Sequence, residues 1–76
     1  MDTRLKLTEL ISDETGLATT EISGDEKFEN LNMDSLSVVS LAFEMEKLTG
    51  IEPIEPNIFI EYNTVNKLAQ WVESRQ

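Results

Sequence analysis

The sequence contains no cysteine and no histidine. Without cysteine there is no disulfide framework, no thiolate nucleophile and no Cys-ligated metal. Without histidine there is no imidazole to activate a serine, bind a metal or switch charge near neutral pH. Basic residues are scarce: 6 Lys and Arg stand against 15 Asp and Glu, for a formal charge of −9. Nucleic-acid phosphates and anionic membranes need the cations this chain lacks, so neither is an expected partner. The acidic balance favours partners with basic patches. No apolar run approaches the ~18 residues of a membrane span, and Met1-Asp2-Thr3-Arg4 leads into no signal-peptide core. The expectation is a soluble, cytoplasmic monomer with one domain over 1–76. A chain this short buries only roughly 60% of its unfolded surface. It has little room for both a core and an enclosed active site, so a protein that is not itself an enzyme is expected.

What is present divides cleanly at Gly16, Gly24, Gly50, Pro53 and Pro56. From about Thr3 to Thr15, Leu7, Leu10 and Ile11 recur at helical spacing before Gly16, a C-cap residue. Leu17 to Met33 keeps no period and reads as a long ordered loop pinned by Leu17, Ile22, Phe28 and Leu31. Loops of ~15 residues are uncommon in small domains and tend to be functional. A second helix is predicted from Asp34 or Ser35 to just before Gly50, with Asp34 as N-cap. Its apolar positions form two stripes: Val38, Leu41, Met45 and Leu48, then Leu36, Val39 and Phe43, with Ala42 between. That arc is wider than one core face requires, so the second stripe meets another element or a partner. Pro53 and Pro56 allow only a short helix or turn around Ile58-Phe59-Ile60. A last helix, Thr64 to Ser74, has Thr64 as cap, Val65, Leu68, Ala69 and Val72 as its stripe, and a half-buried Trp71. The predicted fold is all-α: a small bundle of three main helices plus one short helix, with a long first loop.

Few residues offer chemistry. Asp25-Glu26 with Glu29, and Glu44 with Glu46, sit in polar sequence and read as solvated faces rather than acid/base pairs. A calcium loop begun at Asp25 would put Lys27 at a ligand position and Asn30 where glycine is needed, so that pattern fails. Ser35 is different. It falls in the first turn of the second helix, at the end of the long loop, where the helix terminus favours an attached anion. Taken alone it reads as a capping serine. No base in the chain activates it as a nucleophile, but it suits modification by another enzyme with a phosphate-bearing group.

The segment Phe28-Glu29-Asn30-Leu31-Asn32-Met33-Asp34-Ser35-Leu36 resembles the phosphopantetheine attachment motif of acyl carrier proteins. The likeness extends along nearly the whole chain. Ile58-Phe59-Ile60-Glu61-Tyr62-Asn63-Thr64-Val65 is similar to a segment common in polyketide-synthase carrier domains. The resemblance implies that a phosphopantetheinyl transferase moves a 4'-phosphopantetheine arm from coenzyme A onto Ser35. The arm then holds acyl groups as thioesters and passes them between enzymes such as an acyltransferase or a ketosynthase. Asp34 and Leu36 would flank the attachment site. Leu36, Val39 and Phe43, with Glu44 and Glu46, would form the partner surface, and Ile54 would lie beside the arm. Three departures stand out. Asn32 occupies a usual glycine position, Ser37 and Ser40 occupy positions usually acidic in fatty-acid carriers, and Asn63 replaces a usual proline. Together they point to a polyketide or mixed polyketide–nonribosomal peptide pathway. A chain that starts at Met1 and lacks linkers is expected to be free-standing. The alternatives are a small acidic helical interaction module with no cofactor, or a carrier of fatty-acid or aminoacyl groups.

Overall fold

Residues 2–75 are described by a computed structural model. Met1 and Gln76, the ends of the expected 1–76 domain, lie outside the described residues. Helix α1 spans Thr3–Thr15, α2 spans Ser35–Thr49, α3 spans Ile58–Glu61 and α4 spans Val65–Arg75. No strand occurs among the described residues. The predicted fold class and the three main helix positions agree with this.

Each long helix begins and ends where its sequence supplies a cap. Asp2 Oδ1 accepts the Leu5 N–H at 3.2 Å to open α1, and Asp34 opens α2 in the same way. Gly16 and Gly50 close α1 and α2 in the left-handed region, with φ of 78° and 75°. A side chain is disfavoured there, and each glycine N–H returns to the helix end at 2.9 Å. Thr64 Oγ1 accepts the Lys67 N–H at the start of α4.

Helix α1 packs against both α2 and α4. The centre of the core is Leu7 and Ile11 from α1, Leu41 and Met45 from α2, and Leu68 and Val72 from α4, all fully buried. Burying a Leu or Ile side chain contributes about 1.5–3 kcal/mol, so these side chains supply much of the folding drive. One stripe residue departs from expectation: Leu48, placed with the core of α2, is 37% exposed. It sits in the last turn of α2.

The segment between α1 and α2 is ordered by contacts that the sequence pattern partly revealed. Ile22, Phe28 and Leu31 are buried and Leu17 packs against the core. Two single 3₁₀ turns, Thr19–Glu21 and Phe28–Asn30, were not visible in the sequence. Backbone bonds tie the segment to the start of α4: Phe28 N–H donates to Asn63 O at 2.9 Å and Asn66 N–H to Gly24 O at 3.0 Å. The Asn66 side chain donates to Asp25 Oδ1 at 2.8 Å and accepts from Arg4 at 3.3 Å. The Phe28 and Phe59 rings meet at 6.0 Å and fix α3 against this segment.

Candidate functional site

The long segment delivers the chain to α2 through Asn32, whose φ is 59°. Asparagine accepts this left-handed conformation better than most residues, which explains how it stands at a position that favours glycine. The backbone then turns into α2. Asp34 Oδ1 accepts the Ser37 N–H at 2.8 Å. That backbone hydrogen bond, aided by one from the Ser37 side chain, holds the Asp34 carboxyl below its ordinary value. The carboxylate is therefore committed to the helix terminus as an anion.

Ser35 is the first residue of α2 and is exposed. Its hydroxyl makes no hydrogen bond among the described residues. Beside it opens a cleft of about 630 Å³. Met33, Val38, Val39, Phe59 and Ile60 give this cleft apolar walls, and Lys27, Glu29, Asn57 and Asn63 add polar groups. A free hydroxyl at a helix N-terminus, facing an apolar trough, is chemically suited to hold a long flexible group through a phosphate ester. The residues present thus fit a phosphopantetheine arm.

Of the two outcomes left open for the second stripe of α2, the structure shows exposure: Leu36 by 78%, Val39 by 49% and Phe43 by 62%. Ile60 on α3 is exposed to the same degree as Leu36. Of these four, Val39 and Ile60 also line the cleft beside Ser35. Glu44 is also on the surface, where Lys47 approaches it at 3.7 Å.

Two expected site residues are engaged within the fold. Ile54, expected beside the arm, is buried in the core and does not line the cleft. The segment between Gly50 and Pro56 folds its two isoleucines inward, because Ile51 and Ile54 are its only large apolar residues there. Glu46, expected to face partners, instead accepts the Ile54 N–H at 2.8 Å. It lies next to buried Met45, on the side where this non-helical segment has a backbone donor to satisfy. Ser40 is likewise engaged: its hydroxyl donates to Glu14 on α1 at 2.6 Å.

Sequence reasoning missed Met33, Val38 and Ile60 as cleft residues. The run Ile58-Phe59-Ile60 held a usable signal, since in so short a helix burying Phe59 leaves a neighbour outward. Among the described residues no cluster of acidic groups could hold a metal ion, and no helix is long and apolar enough to cross a membrane.

Comparison with known proteins adds a consistent picture. The family model described as "phosphopantetheine attachment site" matches residues 5–72. The non-reducing polyketide synthase adaA of Aspergillus niger is 38% identical over 68 residues, which is 90% of this chain and 4% of that protein. Polyketide synthase PksL of Bacillus subtilis is 34% identical over 70 residues, 91% of this chain and 2% of that protein. The chain thus spans only a few hundredths of these relatives' length. Among solved structures, a free-standing peptidyl carrier protein from an Acinetobacter baumannii secondary metabolic pathway superposes with a TM-score of 0.91. It is 29% identical, with 96% of this chain and 90% of that chain covered. The HMG-ACPI domain of the CurA module of Lyngbya majuscula matches with a TM-score of 0.90 at 18% identity, covering 97% and 74% of the two chains. At that identity the match speaks for the fold alone.

Proposed function

The chain belongs to the phosphopantetheine-attachment family, and from that premise we propose that it is an acyl carrier of a polyketide or mixed polyketide–nonribosomal peptide pathway, with its arm on Ser35. The observation that carries the assignment of Ser35 is its exposed, unbonded hydroxyl at the first turn of α2, at the mouth of the apolar cleft. The arm, when attached, supplies a terminal thiol that holds acyl groups as thioesters. Everything else falls to the polypeptide: address, presentation and partner recognition.

In this reading, attachment proceeds as one displacement at phosphorus. The Ser35 oxygen attacks the phosphorus of coenzyme A that bears the pantetheine. The P–O bond to the other half of the pyrophosphate breaks, and adenosine 3',5'-bisphosphate leaves. The hydroxyl proton must go to a base outside the chain. Histidine and cysteine are absent, and the Asp34 carboxylate is held by the Ser37 N–H with a depressed proton affinity. In this reading a separate transferase supplies the base, and this chain supplies the nucleophile and its address. Asp34 fixes the turn that presents Ser35, and Leu36 lies one residue further on the exposed face. Leu36, Val39 and Phe43 then offer an apolar docking face to the transferase and to acyl-handling enzymes such as an acyltransferase or ketosynthase. The chain itself performs no acyl chemistry. Likeness to a peptidyl carrier favours aminoacyl cargo as the second reading.

The test is an intact mass after incubation with coenzyme A and a broad-specificity phosphopantetheinyl transferase. The expected gain is one phosphopantetheine group, lost in Ser35→Ala while the fold persists. No gain, under conditions that modify a control carrier, refutes the carrier reading. Modification of Ser35→Ala refutes the site.

A further inference from the structure

Five of the six basic side chains have partners within the molecule. Lys6 and Lys47 face Glu9 and Glu44. Arg4 donates to Asn66 and Lys67 to Asn63, and Arg75 lies over the Trp71 ring. The Lys27 side chain alone has no hydrogen bond, ion pair or ring contact among the described residues. In a chain of formal charge −9, an ammonium left without an internal partner is the exception.

Its position gives the exception meaning. Lys27 lines the cleft that opens at Ser35. The other charged residues there are Glu29 and Asp34. Asp34 is occupied by the Ser37 N–H. Glu29 lies two residues along the 3₁₀ turn and makes no ion pair with Lys27. Among the described residues that line the cleft, Lys27 is thus the one cation, beside two carboxylates, neutral polar groups and apolar walls. Without it, the charged side chains that line the cleft are two carboxylates, Glu29 and Asp34.

We propose that Lys27 binds an anionic oxygen carried by the group attached at Ser35 and so holds that group over the apolar cleft. This rests on Ser35 being the attachment site. Two oxygens share the required chemistry: the phosphodiester next to Ser35, and the terminal carboxylate of a dicarboxylic cargo. The second would make Lys27 a residue that selects extender-type acyl groups.

The experiment uses the intact chain loaded enzymatically in three forms: free thiol, acetyl and malonyl. Intact mass establishes loading. Then ³¹P spectra and the methyl signals of Val38, Val39 and Ile60 are compared between wild type, Lys27→Gln and Lys27→Arg. The cleft-held fraction is expected to fall roughly 1.4- to 5-fold in Lys27→Gln, the range that corresponds to an exposed ion pair. Lys27→Arg retains the wild-type signals, and added salt weakens the difference. A change in all three forms, with a ³¹P shift, identifies the phosphodiester. A change confined to the malonyl form identifies the cargo carboxylate. Identical signals for wild type and Lys27→Gln in every loaded form overturn the role of Lys27 while leaving attachment intact. A wild-type chain that gains no mass overturns both.

Discussion

Leu36 and Leu41 allow one truncation to be made twice on the same helix with opposite consequences. Leu36 is 78% exposed and Leu41 is 0% exposed. Leu→Ala removes the same atoms and exchanges two good helix formers at either site. At Leu41 the change empties part of a close-packed core and costs ~2–5 kcal/mol. At Leu36 only about a fifth of the side chain is covered, so the loss is about a fifth of the ~1.5–3 kcal/mol for full burial, or ~0.3–0.6 kcal/mol. For a domain of this size 1 kcal/mol moves Tm by about 4–8 °C. Leu36→Ala therefore lowers Tm by no more than ~5 °C, and Leu41→Ala by ~8 °C or more. Urea unfolding followed by far-UV circular dichroism measures both, with similar slopes expected if only the native state changes. Function runs the other way. Truncating an interface anchor typically costs above ~1 kcal/mol, so Leu36→Ala should slow arm transfer about 5-fold or more. Leu41→Met, which conserves volume, serves as the folded control and transfers at the wild-type rate. If Leu36→Ala destabilises as much as Leu41→Ala, the outer stripe is part of the core and the reasoning fails. If it folds normally and is modified at the wild-type rate, the transferase does not use this face.

Three further outcomes are expected. The Asp34 carboxyl is depressed in the folded state, so its stabilisation is present above the ordinary carboxylate value of about 3.9 and is lost as pH falls through the lower folded value. Asp34→Asn caps without titrating, and should flatten that acid limb in urea midpoints measured down to about pH 2 while leaving neutral pH little changed. Glu46→Ala leaves the Ile54 N–H without its acceptor and should cost ~1–3 kcal/mol in thermal unfolding; Glu46→Gln keeps an acceptor oxygen, and an equal loss in both variants would show that the charge matters instead. A Cβ at Gly24 would lie 2.6 Å from Asn66 Oδ1, so Gly24→Ala should break the Asp25–Asn66–Arg4 links at a cost of ~1–3 kcal/mol. In an Asn66→Ala background the same change should cost far less, a coupling that a double-mutant cycle reads directly.

The parts of the fold that periodicity and caps encode were legible. Asp34, Gly16, Gly50 and Thr64 mark helix ends by chemistry that works over a few residues, and Leu41, Met45, Leu68 and Val72 recur at the helical period. The width of the apolar arc on α2 showed that Leu36, Val39 and Phe43 exceed one core face, but not whether another element covers them. What stayed hidden depends on contacts between distant segments. Glu46 looked like a docking acid because nothing local shows that Ile54, eight residues on, turns its N–H toward it. Ile54 was placed by resemblance beside the arm, and nothing local shows that its side chain is buried. Lys27 looked like a defect in a calcium pattern, and only the cleft shows that it stands near Ser35. The two 3₁₀ turns carry no periodic signal, since each lasts a single turn.

The bonds from Gly24, Asp25 and Phe28 to Asn63 and Asn66 bear on how this chain can be recombined with its relatives. The stretch before α2 has the composition of a connector, and a designer choosing crossover points would be tempted to cut within it. It is instead one half of a mated pair whose other half begins α4. A chimera that draws these halves from different parents inherits a mismatched joint. Exchange of α2 leaves that joint whole, so the helix that carries Ser35 is the better unit to transplant, provided the graft keeps Leu41 and Met45 for the core, Ser40 for Glu14 and Glu46 for Ile54.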